Sequence, residues 1–450
     1  MARWSYHHFR RRDPLNNGSF ANQVSYNGDR LGSRVYHPAK NIMENNVITI
    51  DDIRTAADLL KGQILRTPAI NSPELSKLTG ADVYLKLENQ QITGSFKTRG
   101  SYVRMAALSD AERKAGVIAA SAGNHAQGVG YHAERLRIPA TIYMPANTPF
   151  TKVARTEALG AKVILKGESV AESRVLAVKA AEAEGKAFIH PYDDPHVIAG
   201  QGTATLEFLE DVPDMDAVIV PIGGGGLAAG CCIAARAHNP DLEIIGAQAD
   251  AYPSMFQAFK GEPPHGSGAT IADGIAVKEP GDVTTPILKE HMPTVEVINE
   301  ALIERAVQIM VDVQRLIVEG SGAVPLAVLL DQPERFKGRK VGLIVSGGNI
   351  DSRLLSSVMM RGLVREGRLA KLRISLIDMP GALAAVAGII GNKGGNIVDV
   401  LHQRMFRDVP VKEADVDIAI ETIDAGHVRE IIEALEADGF GNRLLSDTRI

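Results

Sequence analysis

Four consecutive glycines form the most unusual segment of this 450-residue chain: Gly223, Gly224, Gly225 and Gly226. They follow an apolar segment at 217–221 that predicts a strand, and they precede a helix-like segment that starts at Leu227. Residues without a Cβ atom let backbone amides converge at the N-terminus of a helix, and this geometry binds phosphate without a cation. Neither the dinucleotide fingerprint nor the Lys-Ser/Thr pair of a nucleotide P-loop is present. The run therefore predicts a phosphate site, because a structural turn needs only one or two glycines.

Lys97 is the second candidate for chemistry. It ends the segment Gly94-Ser95-Phe96-Lys97, which follows a predicted strand at 83–87 and a polar turn. A lysine at the end of a buried strand is desolvated, which lowers the pKa of its ammonium group, and the neutral amine can form an imine with an aldehyde. Taken alone, a lysine at this position is ordinarily a solvated residue at the start of a helix.

Two further polar loops also follow predicted strands. The first, after a strand at 117–120, consists of Ser121, Ala122, Gly123, Asn124 and His125. Its amides and short side chains suit a carboxylate or a ring hydroxyl, and they equally suit a helix cap. The second starts at Ser346, after a strand at 341–345, and its two glycines allow the backbone to approach a ligand closely. Because four such loops follow four strands, we expect them to meet at one side of a sheet.

These loops lie within a regular alternation of strand-like and helix-like segments. Apolar runs predict strands at 83–87, 117–120, 141–144, 162–165, 217–221, 243–248 and 341–345. Helical periodicity predicts helices at 125–136, 169–184, 196–210 and 302–314. The alternation predicts an α/β fold with a mostly parallel sheet that is covered by helices on both faces.

The C-terminal residues show a different order of elements. Strands are predicted at 373–377, 396–406, 415–421 and 443–445, with helices at 381–392 and 427–436. The order is βαββαβ, which is the ferredoxin-like arrangement. We therefore expect a separate small domain there.

Composition excludes several classes of function. Lys and Arg total 49 and Asp and Glu total 54, so the net charge of −5 offers no basic field for nucleic acid. The longest aliphatic runs are far shorter than the roughly 20 residues of a membrane span, which predicts a soluble protein without a membrane partner. Two cysteines, Cys231 and Cys232, cannot build a disulfide framework or a four-ligand zinc site. We therefore predict a cytoplasmic protein. We also predict no metal site, because the histidines lack metal-ligand spacing.

The N-terminal segment differs from the rest in charge. Residues 1–42 contain six Arg and one Lys against two Asp, a net charge of +5, and show no repeating apolar face. The segment lacks the apolar region of a secretory signal, and it lacks an obvious amphipathic helix. We predict that residues 1–46 form a disordered extension, with a targeting segment or a docking arm as the alternatives.

Five motifs, in this order, resemble the threonine dehydratases among the fold-type II pyridoxal 5′-phosphate enzymes. They are ENQQITGSFKTRG at 88–100, SAGNHAQG at 121–128, PIGGGGL at 221–227, ADGIAV at 272–277 and SGGNID at 346–351. The stretch IDMPGALAAVAGIIGNKGGNIVDV at 377–400 is similar to ACT regulatory domains, which bind amino acids. The resemblance covers about residues 47–450.

The resemblance implies an architecture like that of the tryptophan synthase β chain, with two open α/β subdomains. A smaller subdomain at about 95–195 would be inserted in the larger one, within a catalytic domain at 47–368. A ferredoxin-like ACT domain would follow at 369–450. The resemblance also implies pyridoxal 5′-phosphate as the cofactor and a homo-oligomer, either a dimer or a tetramer.

Roles for the loop residues follow from the same resemblance. Lys97 would hold the cofactor as an imine and act as the catalytic base, Asn124 would bond to the ring hydroxyl, and Ser346 would face the pyridine nitrogen. The phosphate would lie on the backbone of Gly223, Gly224, Gly225, Gly226 and Leu227. The substrate carboxylate would be held by Ser121, Gly123, Asn124 and His125.

The implied reaction converts L-threonine to 2-oxobutanoate and ammonia by elimination of water, with L-serine as a second substrate. Alternatives are a serine or hydroxyaspartate dehydratase, a serine racemase and, from a different class, an inactive amino-acid sensor. In serine racemases a divalent cation is held partly by a Glu whose matching position here is Gln248, which disfavours both that reading and a dedicated metal site. Intact Lys97 and Ser346 disfavour the sensor.

Two loops of the C-terminal domain predict a site for an effector. Asp378 and Gly381 follow one predicted strand, and Asn396 begins another. Similar loops wrap amino-acid effectors in ACT-like domains, whereas the alternative is a pair of turns that serve only assembly. We expect an aliphatic amino acid, isoleucine above all, to bind there and change the activity.

Overall fold

The computed structural model describes residues 48–403 and 412–445. The predicted extension at 1–46 lies outside the described residues, and so does the end of the predicted strand at 396–406. Within the described part, no helix combines the length and the apolar character needed to cross a membrane.

The described residues form the following elements. The strands are β1 (Ala69–Asn71), β2 (Asp82–Lys86), β3 (Val117–Ala120), β4 (Ala140–Met144), β5 (Lys162–Leu165), β6 (Ala187–Phe188), β7 (Ala217–Pro221), β8 (Glu243–Ala249), β9 (Thr294–Ile298), β10 (Lys340–Ile344), β11 (Leu369–Ile377), β12 (Asn396–Gln403), β13 (Glu413–Glu421) and β14 (Asn442–Leu444). The helices are α1 (Ile50–Leu60), α2 (Pro73–Thr79), α3 (Lys97–Ala106), α4 (Asp110–Ala115), α5 (Asn124–Leu136), α6 (Phe150–Glu157), α7 (Val170–Glu184), α8 (Pro195–Asp211), α9 (Gly226–His238), α10 (Ser254–Lys260), α11 (Thr284–His291), α12 (Glu300–Asp312), α13 (Gly320–Asp331), α14 (Pro333–Phe336), α15 (Ser352–Arg365), α16 (Ala382–Asn392) and α17 (Ala425–Ala437).

The larger sheet has six strands in the order β1-β2-β10-β7-β8-β9. β1 runs antiparallel to β2, and the other pairs are parallel. Every residue of β7 is buried, with Ile219 in the core cluster beside α12 and α13 and Val218 in the cluster beside α8 and α9. A strand buried on both faces reads as a continuous apolar run rather than an alternating one, which is why its bounds were predictable.

A second parallel sheet has the order β5-β4-β3-β6. Periodicity alone predicted one mostly parallel sheet, but the strands are divided between two. β3 pairs with β4 and β6 and not with β2, so the chain leaves the larger sheet after β2 and returns to it at β7. Consequently the loop after β3 approaches from one sheet, and the loops after β7 and β10 approach from the other.

The third sheet is antiparallel, with the order β12-β13-β11-β14. α16 and α17 contribute Val386, Ile390, Val428 and Ile431 to a core cluster of this domain. The order of elements matches the predicted βαββαβ arrangement. β11 begins at Leu369, earlier than predicted, because Leu369 and Lys371 continue the ladder with β13.

Three helices begin at predicted site residues. α3 begins at Lys97, α5 at Asn124 and α9 at Gly226. The first turn of a helix has backbone N–H groups without intrahelical partners, so each of these ends can offer hydrogen-bond donors to a ligand.

Candidate active site

A cavity of about 340 Å³ lies between the two parallel sheets. Its size is at the lower end of the range for small-molecule sites. It brings together the residues predicted to bind the cofactor and the substrate: Lys97, Ser121, Gly123, Asn124, His125, Gly223, Gly224, Gly225, Gly226, Leu227 and Ser346. The expectation that the four loops meet is therefore met, although they meet between two sheets and not at one edge.

Lys97 projects from the start of α3 into the cavity. Its Nζ donates a hydrogen bond of 2.7 Å to the carbonyl of Pro191. Burial lowers the pKa of the Lys97 amine to about 8, and the charge of Glu319 opposes that shift. A neutral amine is therefore accessible near physiological pH, as a nucleophile or a base requires.

A buried cluster of charges fixes the turn of α3 that carries Lys97. Arg99 is fully buried and contacts Glu88 at 2.8 Å and Glu207 at 2.7 Å. Lys86 contacts Glu207 at 2.6 Å. Two cations and two carboxylates balance one another, which avoids the cost of an unpaired buried charge.

Residues Gly223 to Gly226 form a cradle of backbone atoms, and side chains on this loop would collide with neighbouring residues. A Cβ atom on Gly224 would lie 2.3 Å from the ring of Tyr192, and one on Gly226 would lie 2.6 Å from the carbonyl oxygen of the same residue. Gly225 has φ of +99°, in the left-handed region that favours glycine. Since α9 begins here, its free N–H groups lie at the cradle, and this arrangement suits a phosphate.

Contacts behind the loop hold it in this shape. The Oγ1 of Thr284 donates to the carbonyl of Gly224 at 2.7 Å, and the amide of Gly281 donates to the same oxygen at 3.1 Å. The side chain of Asp193 accepts hydrogen bonds from the backbone amide of Thr284 and its two predecessors. Because these contacts engage the Gly224 carbonyl, the loop can present its amides to the cavity.

In the loop after β3, His125 can offer its backbone groups to a ligand, because its side chain is engaged with the protein. The Nε2 of His125 lies 2.9 Å from the carbonyl of Ile189. Burial lowers the pKa of His125 to about 3, so its ring is neutral at physiological pH. Ser121 accepts a hydrogen bond of 3.2 Å from the amide of Gly123.

The loops that carry Lys97 and Ser346 are bonded to each other. The carbonyl of Ser346 accepts from the amide of Phe96 at 3.1 Å, and the amide of Gly348 donates to the carbonyl of Gly94 at 2.9 Å. Ser346 is buried beside the cavity. These contacts link the end of β10 to the start of α3.

Glu319 lies in the cavity, although sequence analysis did not single it out. Its Oε1 accepts hydrogen bonds from Asn124 at 2.7 Å and from Ser321 at 2.6 Å. Burial raises the pKa of Glu319 to about 7. The only signal in the sequence was an acidic residue directly before the small residues Gly320, Ser321 and Gly322, which is too common to identify a site. Tyr192 and Pro191 were also missed, because the residues around them in the sequence form no pattern that identifies a site.

No group of three or more His, Cys, Asp or Glu side chains suited to a metal ion occurs within residues 48–403 and 412–445. The side chain of Gln248 is fully buried and engaged with protein atoms. It donates to the carbonyl of Ile222 at 3.2 Å and accepts from the amides of Met255 and Phe256 at 3.0 and 2.9 Å.

The predicted effector residues lie at two ends of the ACT-like sheet. Asp378 and Gly381 follow the end of β11, and Gly381 lines a cavity of about 710 Å³. Asn396 begins β12, where its side chain donates to Glu421 at 3.1 Å, and Glu421 pairs with Leu369 at the start of β11. A strand of this length spans about 26 Å, so one amino acid cannot contact both ends within a single chain.

Residues 60–347 match the family model described as Pyridoxal-phosphate dependent enzyme. The chain belongs to this family. Residues 370–438 of this pyridoxal-phosphate dependent enzyme match the ACT domain model. Membership confirms the predicted fold class and the prediction of pyridoxal 5′-phosphate as the cofactor.

Relatives of this pyridoxal-phosphate dependent enzyme cover most of its length. It is 43% identical over 401 residues to the L-threonine ammonia-lyase of Thermotoga maritima, an alignment that covers 89% of this chain and 100% of that protein. The processed threonine deaminase isoform 2 of Solanum lycopersicum is 35% identical with a TM-score of 0.65, over 69% of this chain and 91% of that one. The serine racemase of Dictyostelium discoideum is 34% identical with a TM-score of 0.64, over 68% of this chain and 99% of that one.

The residues of the cavity fit the cofactor of the family. Because Gly224 and Gly226 lack Cβ atoms, Tyr192 packs directly against the loop. The loop and the first turn of α9 line the cavity, and the free N–H groups of that turn suit a phosphate. The amine of Lys97, with its lowered pKa, suits an aldehyde. Ser346 and Asn124 line the same cavity and can face the polar atoms of a pyridine ring.

Proposed function

We propose that the protein is an enzyme that converts L-threonine to 2-oxobutanoate and ammonia, with L-serine as a second substrate. The observation that carries the proposal is the meeting of Lys97 and the glycine cradle in one cavity. Identity of 43% to an L-threonine ammonia-lyase, over the full length of that protein, supports the choice of substrate.

Lys97 is the central residue of the proposed mechanism. Bound pyridoxal 5′-phosphate supplies an electron-withdrawing ring that stabilises negative charge at the substrate Cα. Lys97 would hold the cofactor through its aldehyde carbon until the substrate amine takes that place. The freed amine of Lys97 then accepts the proton from Cα, a step that its lowered pKa favours at neutral pH.

The other loops orient the substrate and direct the outcome. Amides of Ser121 to His125, at the positive end of α5, bind the substrate carboxylate. Ser346 would face the ring nitrogen with a hydroxyl rather than a carboxylate, so it would not force that nitrogen to stay protonated. Negative charge at Cα would then be stabilised less, which favours loss of the β-hydroxyl, and the protonated Lys97 amine can return the proton with which it leaves as water. The released enamine tautomerises and hydrolyses to 2-oxobutanoate and ammonia.

The division of the chain belongs to the same proposal. Residues 47–368, with a smaller subdomain at about 95–195, would perform catalysis, and residues 369–450 would bind an amino-acid effector. The core cluster formed by β11, β13, α16 and α17 supports a separate C-terminal domain. An apolar cavity beside Gly381, with Met379 and Phe440 in its lining, suits an aliphatic side chain such as that of isoleucine.

We further propose a homo-oligomer in the cytoplasm. Asn396 and Asp378 can contribute to one effector site only if two copies of the domain come together, which favours a dimer or tetramer. Cys231 and Cys232 are free and buried, as expected in a reducing compartment. Light scattering coupled to size-exclusion chromatography would contradict the oligomer if it gave a monomer mass across the working concentration range.

Side-by-side assays of L-threonine, L-serine and hydroxyaspartate test the proposed reaction. We expect ammonia and 2-oxobutanoate from threonine with the highest kcat/KM, and pyruvate from serine with a lower one. Preferred turnover of serine or hydroxyaspartate would reassign the substrate, and D-serine as the main product from L-serine would indicate a racemase. Bound cofactor without any turnover would indicate the inactive sensor.

A further inference from the structure

Glu319 is a buried carboxylate in the cavity that the proposed mechanism does not use. It precedes α13, and only 5% of its surface is exposed. Within the described residues no cation is in ion-pair contact with its carboxylate, and Lys97 of the same cavity interacts with it only through space. Burying a carboxylate without a cation is costly unless hydrogen bonds satisfy it. Its bonding partners therefore indicate what it does.

A directional chain of hydrogen bonds ends at Glu319. The Nδ2 of Asn349 donates to the carbonyl of Thr93 at 2.8 Å and to the Oδ1 of Asn124 at 2.7 Å. The Nδ2 of Asn124 donates to the Oε1 of Glu319 at 2.7 Å, and Ser321 donates to the same oxygen. A backbone carbonyl can only accept, so it fixes the orientation of the Asn349 amide, and that in turn fixes the amide of Asn124.

This orientation leaves one N–H of Asn124 for the cavity. The nitrogen carries two hydrogens, and Glu319 accepts one of them. If the Asn124 side chain were flipped, its nitrogen would face the Nδ2 of Asn349, so that two donors would lie in contact, and its oxygen would face the ionised carboxylate of Glu319. Glu319 thus bonds to the nitrogen of the Asn124 carboxamide, and Asn349 bonds to its oxygen.

The loop after β10 leaves space for the carboxylate. A Cβ atom on Gly347 would lie 2.5 Å from the Oε1 of Glu319 and 3.2 Å from the Nδ2 of Asn124. The backbone amide of Asn349 also bonds to the Glu319 side chain. The contact between Glu319 and Asn124 therefore depends on a glycine at 347.

We propose that Glu319 is a positioning residue that holds the Asn124 carboxamide with its nitrogen toward the cavity, where the remaining N–H donates to the ring oxygen of pyridoxal 5′-phosphate. The inference rests on the proposed function, because it assumes the cofactor in this cavity. Glu319 acts through Asn124. Its removal should therefore affect cofactor binding only while Asn124 is present.

A double-mutant cycle on cofactor binding tests this dependence. Apoprotein of the unaltered chain, Glu319→Ala, Asn124→Ala and the double variant is titrated with pyridoxal 5′-phosphate, and the Kd and the visible absorbance maximum are recorded. We expect Glu319→Ala to raise the Kd about tenfold or more and to reproduce the absorbance shift of Asn124→Ala. In the Asn124→Ala background, Glu319→Ala should change neither quantity at pH 9, where Lys97 is mostly neutral with or without the charge of Glu319. Independent, multiplying effects on Kd, or no effect of Glu319→Ala, would overturn the proposal.

Two further variants separate positioning from folding. Glu319→Gln keeps an oxygen that accepts from Asn124, so its Kd should return to within about threefold of the unaltered protein, and a Kd as weak as that of Glu319→Ala would count against the proposal. Glu304→Ala removes another buried glutamate, which pairs with Arg361 and Arg365 at 2.9 and 3.0 Å, and it should leave the cofactor Kd unchanged. An unaltered protein that fails to bind the cofactor would contradict the proposed function instead.

Discussion

At the scale of single residues, the environment of Lys97 decides what its amine can do. The residue is partly buried at the start of α3, and its Nζ contacts a carbonyl at 2.7 Å rather than a carboxylate. A carboxylate partner would hold the ammonium form, whereas burial favours the neutral form. Because no carboxylate contacts the Nζ, the neutral and reactive form of the amine is favoured.

Substitution of Lys97 tests whether this amine is required. We expect Lys97→Ala to lose the visible absorbance of the covalently bound cofactor together with 2-oxobutanoate production, by at least about a thousandfold in kcat, because both depend on the same amine. Lys97→Arg is the matched control, since it keeps a positive charge but not the nucleophile, and it should be equally inactive. Full activity in either variant would contradict the assignment.

The pH dependence of cofactor uptake tests the lowered pKa. With a pKa of about 8 in place of 10.5, the neutral fraction of Lys97 rises about tenfold per pH unit below pH 8 and levels off above it. Stopped-flow uptake of pyridoxal 5′-phosphate by the apoprotein should follow this curve. N-acetyl-lysine amide, measured over the same range, should continue to accelerate beyond pH 9. Identical profiles for the protein and the peptide would show that burial does not shift the pKa of Lys97.

At the scale of elements, the first turn of α9 and the loop before it form the cradle. Thr284 and Gly281 donate hydrogen bonds to the carbonyl of Gly224, and Asp193 in turn holds the segment that carries Thr284. The cradle depends as much on the missing Cβ atoms as on these contacts, because Tyr192 packs directly against the loop.

Gly224→Ala tests the cradle. The added methyl would lie 2.3 Å from ring carbons of Tyr192, so the loop or the ring must shift. We expect the Kd for pyridoxal 5′-phosphate, measured by fluorescence titration, to rise about tenfold or more. Gly388→Ala in α16 is the control, because a Cβ atom there meets nothing within 4 Å, and its Kd should not change. Unchanged binding by Gly224→Ala would place the phosphate elsewhere.

The buried charge cluster beneath α3 predicts a large effect on stability. Arg99→Ala would leave Glu88 and part of Glu207 without their cation. Breaking a buried pair on one side costs about 3–5 kcal/mol, so urea unfolding followed by circular dichroism should show a loss of that order. Arg54→Ala, which removes an exposed pair with Asp51, should cost less than about 1 kcal/mol. Equal losses of unfolding free energy in the two variants would show that the buried cluster stabilises the protein no more than an exposed ion pair does.

At the scale of the whole molecule, one helix, α15, joins the part that matches the pyridoxal-phosphate dependent enzymes to the ACT domain. α15 begins directly after Asp351, which lines the catalytic cavity, and it ends shortly before β11 of the ACT domain. Glu304 of α12 contacts Arg361 and Arg365 of this helix. The helix therefore forms a short covalent connection between the ACT domain and the loop that carries Ser346, by which the proposed effector would act on the cavity.

Isoleucine titration tests regulation at this scale. We expect isoleucine to change the kcat/KM for threonine in the full chain, with valine acting in the same direction but more weakly, because both present an aliphatic side chain to the cavity beside Gly381 and that of valine is shorter. A variant lacking residues 370–450 should not respond. The response should also be lost in Gly381→Val, which adds a branched side chain at a residue with φ of +93°. No response of the full chain to either amino acid would contradict effector binding.

The sequence by itself determined the local features of the site. Predicted strands at 117–120 and 217–221 coincide with β3 and β7, because strands buried on both faces are uninterrupted apolar runs. The predicted strand at 162–165 coincides with β5, which is a partly exposed edge strand. β6 has only two residues, and β9 contains Glu296, so neither gave such a run. Glycines and polar residues directly after the strands identified the loops that line the cavity. The chemical roles of those residues stay predictions.

Only the tertiary structure decided which strands share a sheet and which distant side chains meet. Strand pairing is a long-range choice, and apolar periodicity is the same whether β3 joins the larger sheet or starts another. Glu319 meets Asn124 across 195 positions of the chain, and no spacing in the sequence encodes that contact. The site lies between two sheets because the chain leaves the first sheet after β2 and returns at β7. The loop residues could therefore be identified from their types and local spacing, whereas long-range packing decided that they face one another.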